Sequence, residues 1–407
     1  MDLLEGIKAD LKPDNSILKE VDVFVKKINN LLKKKGVKAK CVKGGSIAKN
    51  TFLKNDYDVD LFVRFDKSWK DQPLSEVLEK VLNEEFEIER VHGSRDYFQI
   101  KNELLFEVVP VLEIDDYREA ENVTDMSPLH VDYVKKKLKK GQHDEVRLAK
   151  QFCKAAKVYG AESYIKGFSG HILDLLIIYY GSFMKLSKNA VDWKSKVVID
   201  IEGHLDDPLE ELDKAKTHSP LVIVDPVQPY RNAAAALSKK KFDVFKQRCK
   251  EFLKKPSREF FKVKKLRKKD VEQNLEDEQL FFLEAEPLEG KKDVVGSKLM
   301  KAFRHIKRRV KKHDFEIRDS GWEFDKVGRF YIILKDEVLP EKKVMQGPPI
   351  EKEKGVKRFK EKYEKVFEQD GRLFSKVKRE YREAEDLIEE LLKDKYVQER
   401  VKNIKLV

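Results

Sequence analysis

Cysteine is scarce in this chain: among 407 residues only Cys41, Cys153 and Cys249 occur, far apart and with no C-x-x-C spacing. That excludes a zinc site built on paired cysteines and a disulfide framework, so the three read as reduced thiols of a cytoplasmic protein. Long apolar runs are missing too. The greasiest stretch, residues 172–183, carries Asp174 and is shorter than the roughly 20 residues a membrane span needs, so it reads as a core helix and no membrane partner is expected. At the start, M-D-L-L-E-G-I-K-A-D places acids where an export signal has a basic start followed by an apolar run.

Charge is what the sequence has in abundance. Lys and Arg number 86 against 74 Asp and Glu, a net charge of +12, while 41% hydrophobic content still suffices for packed cores. The excess points to a polyanionic partner, nucleic acid first, although the density of Lys and Glu also fits a thermophilic or solubility bias. The length calls for about two to four domains.

The stretch that organises the chain is residues 42–65, V-K-G-G-S-I-A-K-N-T-F-L-K-N-D-Y-D-V-D-L-F-V-R-F. Asp58 and Asp60 alternate with apolar residues as in a strand, so both carboxylates leave one face and repel each other unless a cation sits between them. The pair is a natural ligand set for Mg2+. Gly44 and Gly45, with no Cβ, let backbone N–H groups approach an anion at the start of a helix, and the Ser46 hydroxyl adds a donor. The alternative is a glycine turn leading into a strand with a solvated polar face. No G-K-S/T follows the glycines, so this is not a Walker loop. The string resembles the G-S and D-x-D signature of the DNA polymerase β-like nucleotidyltransferases, which implies two Mg2+ ions on three carboxylates.

Apolar spacing predicts a helix over 16–35 and a mixed sheet from strands at 37–42, 58–65, 86–91, 97–100 and 104–112, with a helix at 74–82. In the last strand Glu107 stands among apolar residues, where a glutamate is unusual unless paired or coordinated. It is the candidate third carboxylate. Glu103 is the weaker one, and an edge-strand glutamate in solvent is the alternative. Ser127-Pro128 reads as a helix start with His130 in its first turn, 144–159 as an amphipathic helix, and a buried helix begins at Ser169.

V-R-L-A-K, V-Y-G-A-E, G-F-S-G, Y-G-S-F and V-D-P-V-x-x-x-R-N-A-A-A then follow in order up to Ala235. This succession resembles the archaeal, class I CCA-adding enzymes, tRNA nucleotidyltransferases that build the 3′-terminal C-C-A, and the likeness runs to about residue 261. It implies that Asp58, Asp60 and Glu107 are the catalytic, metal-holding carboxylates, Glu107 replacing the family's usual aspartate. Gly45, Ser46, Lys49, His130, Lys150, Tyr159 and Arg231 correspond to residues around the incoming nucleotide. At Lys49 the relatives often carry arginine, so the charge is kept and the planar fork lost. Arg231 is read as the base contact, and without the resemblance as a salt bridge to Asp225 or a helix cap. The alanines after it read as a helix.

Residues 262–269, K-V-K-K-L-R-K-K, cannot be buried and read as solvated or phosphate-bound. A strand at 280–285, a helix at 294–312 and strands at 314–322 and 329–334 suggest a small sheet backed by a helix. Gln346-Gly347-Pro348-Pro349 reads as a break, and from Gly355 Lys- and Glu-rich helices are expected almost to Val407. The expected class is therefore α+β and multidomain: a polymerase β-like head at 1–140, a helical neck at 141–258, an α/β body at 259–345 and a helical tail at 346–407. The family resemblance implies CTP and ATP as substrates and tRNA, held by acceptor stem and elbow, as partner. The family's tail continues farther than this chain does. A relative adding another nucleotide, a catalytically impaired tRNA-binding homologue, and a homodimer through the last helices are the alternatives.

Overall fold

The computed structural model describes residues 3–14, 16–273, 275–335 and 338–407. It divides into two units, residues 1–264 and 265–407. In the first, β1 (Ala39–Lys43), β2 (Val59–Phe65), β3 (Glu89–Val91), β4 (Tyr97–Lys101) and β5 (Leu105–Leu112) form a sheet in the order β1-β2-β5-β4-β3. β2 and β5 run parallel with Asp60 opposite Glu107, and the remaining pairs are antiparallel. The helices of this head are α2 (Ser16–Lys34), α3 (Gly45–Ala48) and α4 (Leu74–Leu82), whereas α1 (Leu3–Leu11) packs through Ile7 into the core of the helices that follow. On α2, Val21, Phe24, Ile28, Leu31 and Leu32 recur at helical spacing and are buried against the sheet residues, with Phe24 stacked on Phe106 at 3.8 Å.

The same unit continues with α5 (Ser127–Lys137), α6 (Gln142–Ala155), α7 (Gly170–Tyr180), α8 (Phe183–Val191), a parallel pair of short strands β6 (Val197–Ile199) and β7 (Leu221–Ile223), α9 (Pro208–Glu211) and α10 (Lys239–Lys254). Their core is aromatic: Phe152, Phe168, Phe183, Phe245 and Phe252 are all fully buried. The expected core helix is α7. Ser169 caps it by accepting from Ile172 N, and Gly181 ends it at φ 89°, a left-handed conformation suited to glycine.

In the second unit come α11 (Lys268–Glu272), β8 (Glu278–Glu286), α12 (Lys292–Lys312), β9 (Ile317–Phe324), β10 (Gly328–Lys335), β11 (Lys342–Pro349), α13 (Glu353–Lys362), β12 (Val366–Gln369), β13 (Arg372–Lys378), α14 (Ala384–Lys393), α15 (Lys395–Gln398) and β14 (Asn403–Leu406). The expected strand, helix, strand, strand order is present as β8, α12, β9 and β10.

The last sixty residues depart from the expectation of continuous helices. β14 pairs with β8 at the edge of a four-stranded sheet, and β11, β13 and β12 form a second sheet. The turn between β12 and β13 is Asp370-Gly371, both at positive φ, the Asp-Gly hairpin signal that the Lys-Glu content outweighed. The expected break at 346–349 lies within β11, where the register shifts between Gln346 and Pro349 instead of the strand ending. Two corrections fall in the first unit. Asp58 sits one residue before β2, and the alanines after Arg231 form turns. Asn232 takes up local backbone bonds there, accepting from Ile223 N at 3.0 Å and Ala234 N at 2.8 Å, which competes with helix formation.

Candidate active site

The two glycines let the turn before α3 lie directly on β2. Gly44 N donates to the Asp60 carbonyl at 2.7 Å. At Gly44 a Cβ would come within 2.7 Å of the Phe62 ring, and at Gly45, held at φ 49°, it would stand 1.7 Å from Asp60 Oδ2. No side chain fits between this turn and the carboxylate. Asp60 is flanked by Glu107 on the neighbouring parallel strand, and Gln99 Nε2 donates to Glu107 Oε1 at 2.8 Å. Burial, then the charges of Glu107 and Asp58, push the Asp60 carboxyl up to about 7. Such a cluster is one that cations relieve, so the donor set suits hard divalent ions.

The loop joining α3 to β2 is tied down by α6. Arg147, almost fully buried, donates to the carbonyls of Phe52 at 3.0 Å and Asn50 at 2.6 Å. Lys150 Nζ donates to Thr51 O at 2.9 Å and Thr51 Oγ1 at 3.1 Å. Lys49 forms an ion pair with Asp174, which lies fully buried on α7 with its Oδ1 unbonded. Tyr159 and Lys150 converge on Gly170: a Cβ there would lie 3.2 Å from the Tyr159 hydroxyl and 3.5 Å from Lys150 Cε. Burial raises the Tyr159 hydroxyl well above its ordinary range. Ser46 is half-buried on α3.

A second cluster surrounds Asp225, which is fully buried. His130 Nε2 lies 2.9 and 3.0 Å from its two oxygens, His130 Nδ1 lies 2.9 Å from Met126 O, and Arg231 forms an ion pair with it. His171 Nε2 stands 3.9 Å from Asp225 Oδ2 with no hydrogen bond of its own. Burial, then His130 and Lys49, push His171 down to about 3, so it is neutral. Among the described residues, His130, His171 and Asp225 are the group whose ligand atoms all lie within 4.8 Å. Asp58, Asp60 and Glu107 are not drawn together that tightly, as expected of three like charges.

The fold thus brings Asp60, Glu107 and Gly45 together, sets Lys49, Lys150 and Tyr159 around the start of α7, and joins His130 to Arg231 through Asp225. Sequence reasoning took no functional note of Asp174, Thr51 or His171. A lone carboxylate within an apolar helix was the available signal for Asp174.

Burial lowers the Lys150 ammonium from its ordinary 10.5 to about 8, with Asp174 acting against the shift and Lys49, Lys154 and Arg147 with it. The unfolded chain therefore binds more protons between those values, and this group alone makes folding more favourable as pH rises through that window. Anion affinity runs the other way. If Lys150 faces a triphosphate, the KM for nucleotide is expected to rise above pH about 8, by up to about tenfold per pH unit. A pH profile of KM, flat in Lys150→Met, checks this.

The fold is that of a nucleotidyltransferase of the polymerase β kind, and the nucleotidyltransferase domain family matches residues 25–154. The Cid1 poly(U) polymerase shares the fold at a TM-score of 0.52 and 16% identity, over 64% of this chain and 98% of that one. The second domain of tRNA nucleotidyltransferases matches residues 144–262, and the C-terminal domain of CCA-adding enzymes matches 285–404. A CCA-adding enzyme of Nanoarchaeum equitans is 38% identical over 83% of this chain and 83% of its own length. One from Methanocaldococcus jannaschii is 33% identical over 86% of this chain and 80% of its own. The chain belongs to the family of archaeal CCA-adding enzymes. Among the described residues no helix is long and apolar enough to cross a membrane.

Proposed function

We propose that this enzyme adds C, C and A in turn to the 3′ end of tRNA, from CTP and ATP, releasing pyrophosphate and using no nucleic-acid template. The parallel register that sets Asp60 beside Glu107, with Gly45 pressed onto Asp60, carries the proposal. Asp58, Asp60 and Glu107 would hold two Mg2+ ions, which supply Lewis-acid activation of the terminal 3′-hydroxyl and neutralise the triphosphate. The chain's own groups do the positioning. Gly45 and Ser46 would open the turn to the phosphates, and Lys49, Lys150 and Tyr159, gathered around the start of α7, would supply charge and a hydroxyl to them. Arg231, 45% exposed and paired with Asp225, would present its guanidinium to the base, with His130 on the same carboxylate.

Holding tRNA falls to the basic surfaces. Lys301, Arg304, Arg308, Lys311 and Lys312 are exposed along α12 and suit the phosphates of an acceptor stem, read by shape more than sequence. The stretch at 262–269 contributes less, because Lys265, Arg267 and Lys268 already pair with Asp325, Asp270 and Glu272. The 346–407 region is the candidate for the tRNA elbow. Pyrophosphate release from CTP tests the reaction: it is expected only when both Mg2+ and a tRNA lacking its C-C-A are present, and release without tRNA contradicts it.

Arg231 presents several donors in one plane, matching acceptors on a cytosine or adenine edge and mismatching uracil's arrangement. Arg231→Ala is expected to cut discrimination of CTP over UTP by at least about tenfold, roughly one bidentate contact, while nucleotide affinity falls less. Misincorporation and apparent affinity measured side by side check it, and equal weakening of all four nucleotides would reassign Arg231 to phosphate or structure.

A further inference from the structure

Asp225 is the convergence point of two residues that come from distant parts of the chain. His130 lies on α5, and Arg231 lies in the turn after β7. The carboxylate is itself fixed by its own turn: Val227 N and Gln228 N donate to Oδ1 at 3.0 and 3.1 Å, and Asp225 N donates to Arg231 O at 2.9 Å. This backbone bond sets the distance between Asp225 and Arg231 before either side chain is considered.

The other polar groups around it are also committed. One ring nitrogen of His130 lies on Met126 O and the other on the carboxylate. The spacing of His130, His171 and Asp225 would admit a divalent cation. Arg231 already occupies Asp225, however, and both His130 nitrogens have partners, so the protein's own side chains fill that place. Burial alone would raise the Asp225 carboxyl, but the His130 hydrogen bond and charge, with Arg231 and His171, hold it well below the usual carboxylate range. The anion is therefore permanent at working pH, and it holds two donors at once.

We propose that Asp225 is a positioning residue for nucleotide selection: by holding the Arg231 guanidinium in one plane, with His130 bracing the carboxylate from α5, it makes base choice depend on a residue that itself touches no nucleotide. The proposal rests on Arg231 being the base contact. A flexible guanidinium can turn to satisfy either arrangement of donors and acceptors, whereas a fixed one cannot. Selectivity then lies as much in the buried carboxylate as in the exposed arginine. Asp225→Asn keeps the shape and the acceptor oxygen but loses the charge that binds the guanidinium and the imidazole.

The test is a double-mutant cycle read as the CTP-to-UTP ratio of kcat/KM, on Asp225→Asn, Arg231→Ala and the double variant. Asp225→Asn is expected to lose at least about tenfold in the ratio. The double variant is expected to be no less selective than Arg231→Ala alone, because Asp225 acts only through Arg231. A merely structural role would instead lower rates for both nucleotides and leave the ratio unchanged. A normal ratio in Asp225→Asn, or losses that multiply in the double variant, overturns the proposal. Loss of all C and A addition by the unsubstituted enzyme would instead remove the activity on which it rests. If Asp225→Asn fails to fold, guanidinium NMR of the unsubstituted enzyme decides, with the Arg231 signal identified by its disappearance in Arg231→Lys. Hindered rotation about its C–N bonds is expected, and a freely averaging guanidinium overturns the proposal.

Discussion

Asp60→Ala is expected to lower nucleotide addition by at least about 10³-fold, a loss of about 4 kcal/mol of transition-state stabilisation, while tRNA affinity changes less than about twofold. The asymmetry follows from where the residue sits. Asp60 lies in the head sheet between Glu107 and the glycine turn, whereas the exposed Lys and Arg of α12 belong to the other unit. Removing the carboxylate also removes a charge whose burial and neighbours raise it to about 7. The metal-free variant is therefore expected to melt no lower than the unsubstituted protein at neutral pH, and to lose the stabilisation that Mg2+ confers. Single-turnover rates and filter binding measure the two effects separately. Full activity in Asp60→Ala would remove it from the metal site.

Gly45→Ala is the second large effect, and it comes from one added methyl. At φ 49° an alanine is strained, and its Cβ would stand 1.7 Å from Asp60 Oδ2, so either the turn lifts from β2 or the carboxylate swings away. Both displace the phosphate-facing backbone relative to the carboxylates. A shift of about 1 Å at reacting groups costs on the order of 10² in rate. The expected result is a fall of about 10²-fold or more in kcat for CTP. The unfolding midpoint should drop by only several degrees, since a strained left-handed residue costs about 1–2 kcal/mol. Gly36, also at positive φ but with nothing within 4 Å of a Cβ, is the control: its alanine variant should show the strain and keep the rate.

How much of this was legible depended on how far apart the partners lie in the chain. The glycine pair and the D-x-D lie within one stretch, and their types suggest their roles: no Cβ where a backbone approaches closely, as Gly45 does, and carboxylates as the proposed cation ligands. Glu107 stood out because a glutamate among valines needs a partner, and it lies opposite Asp60. The direct tie of Asp60 to Gly45 was not legible, since nothing in the spacing says that the turn folds back onto the strand. The Lys49 to Asp174 and His130 to Asp225 pairs span 125 and 95 residues and exist only once α7 and the turn after β7 are packed against the head. In the second unit composition misled where local chemistry would have served. Asp370-Gly371 is a hairpin turn whatever the Lys and Glu content around it. The R-N-A-A-A run looks helical by propensity, but the Asn232 amide outcompetes it.

The most direct test of the proposed activity is a product ladder at single-nucleotide resolution, from tRNA ending before its C-C-A, with Mg2+ and each nucleotide alone or in combination. With CTP alone the product should grow by two residues and stop. CTP and ATP together should extend it by three and stop again, with UTP or GTP giving at most trace addition. Untemplated growth past three residues, or extension with UTP as efficient as with CTP, would contradict the account.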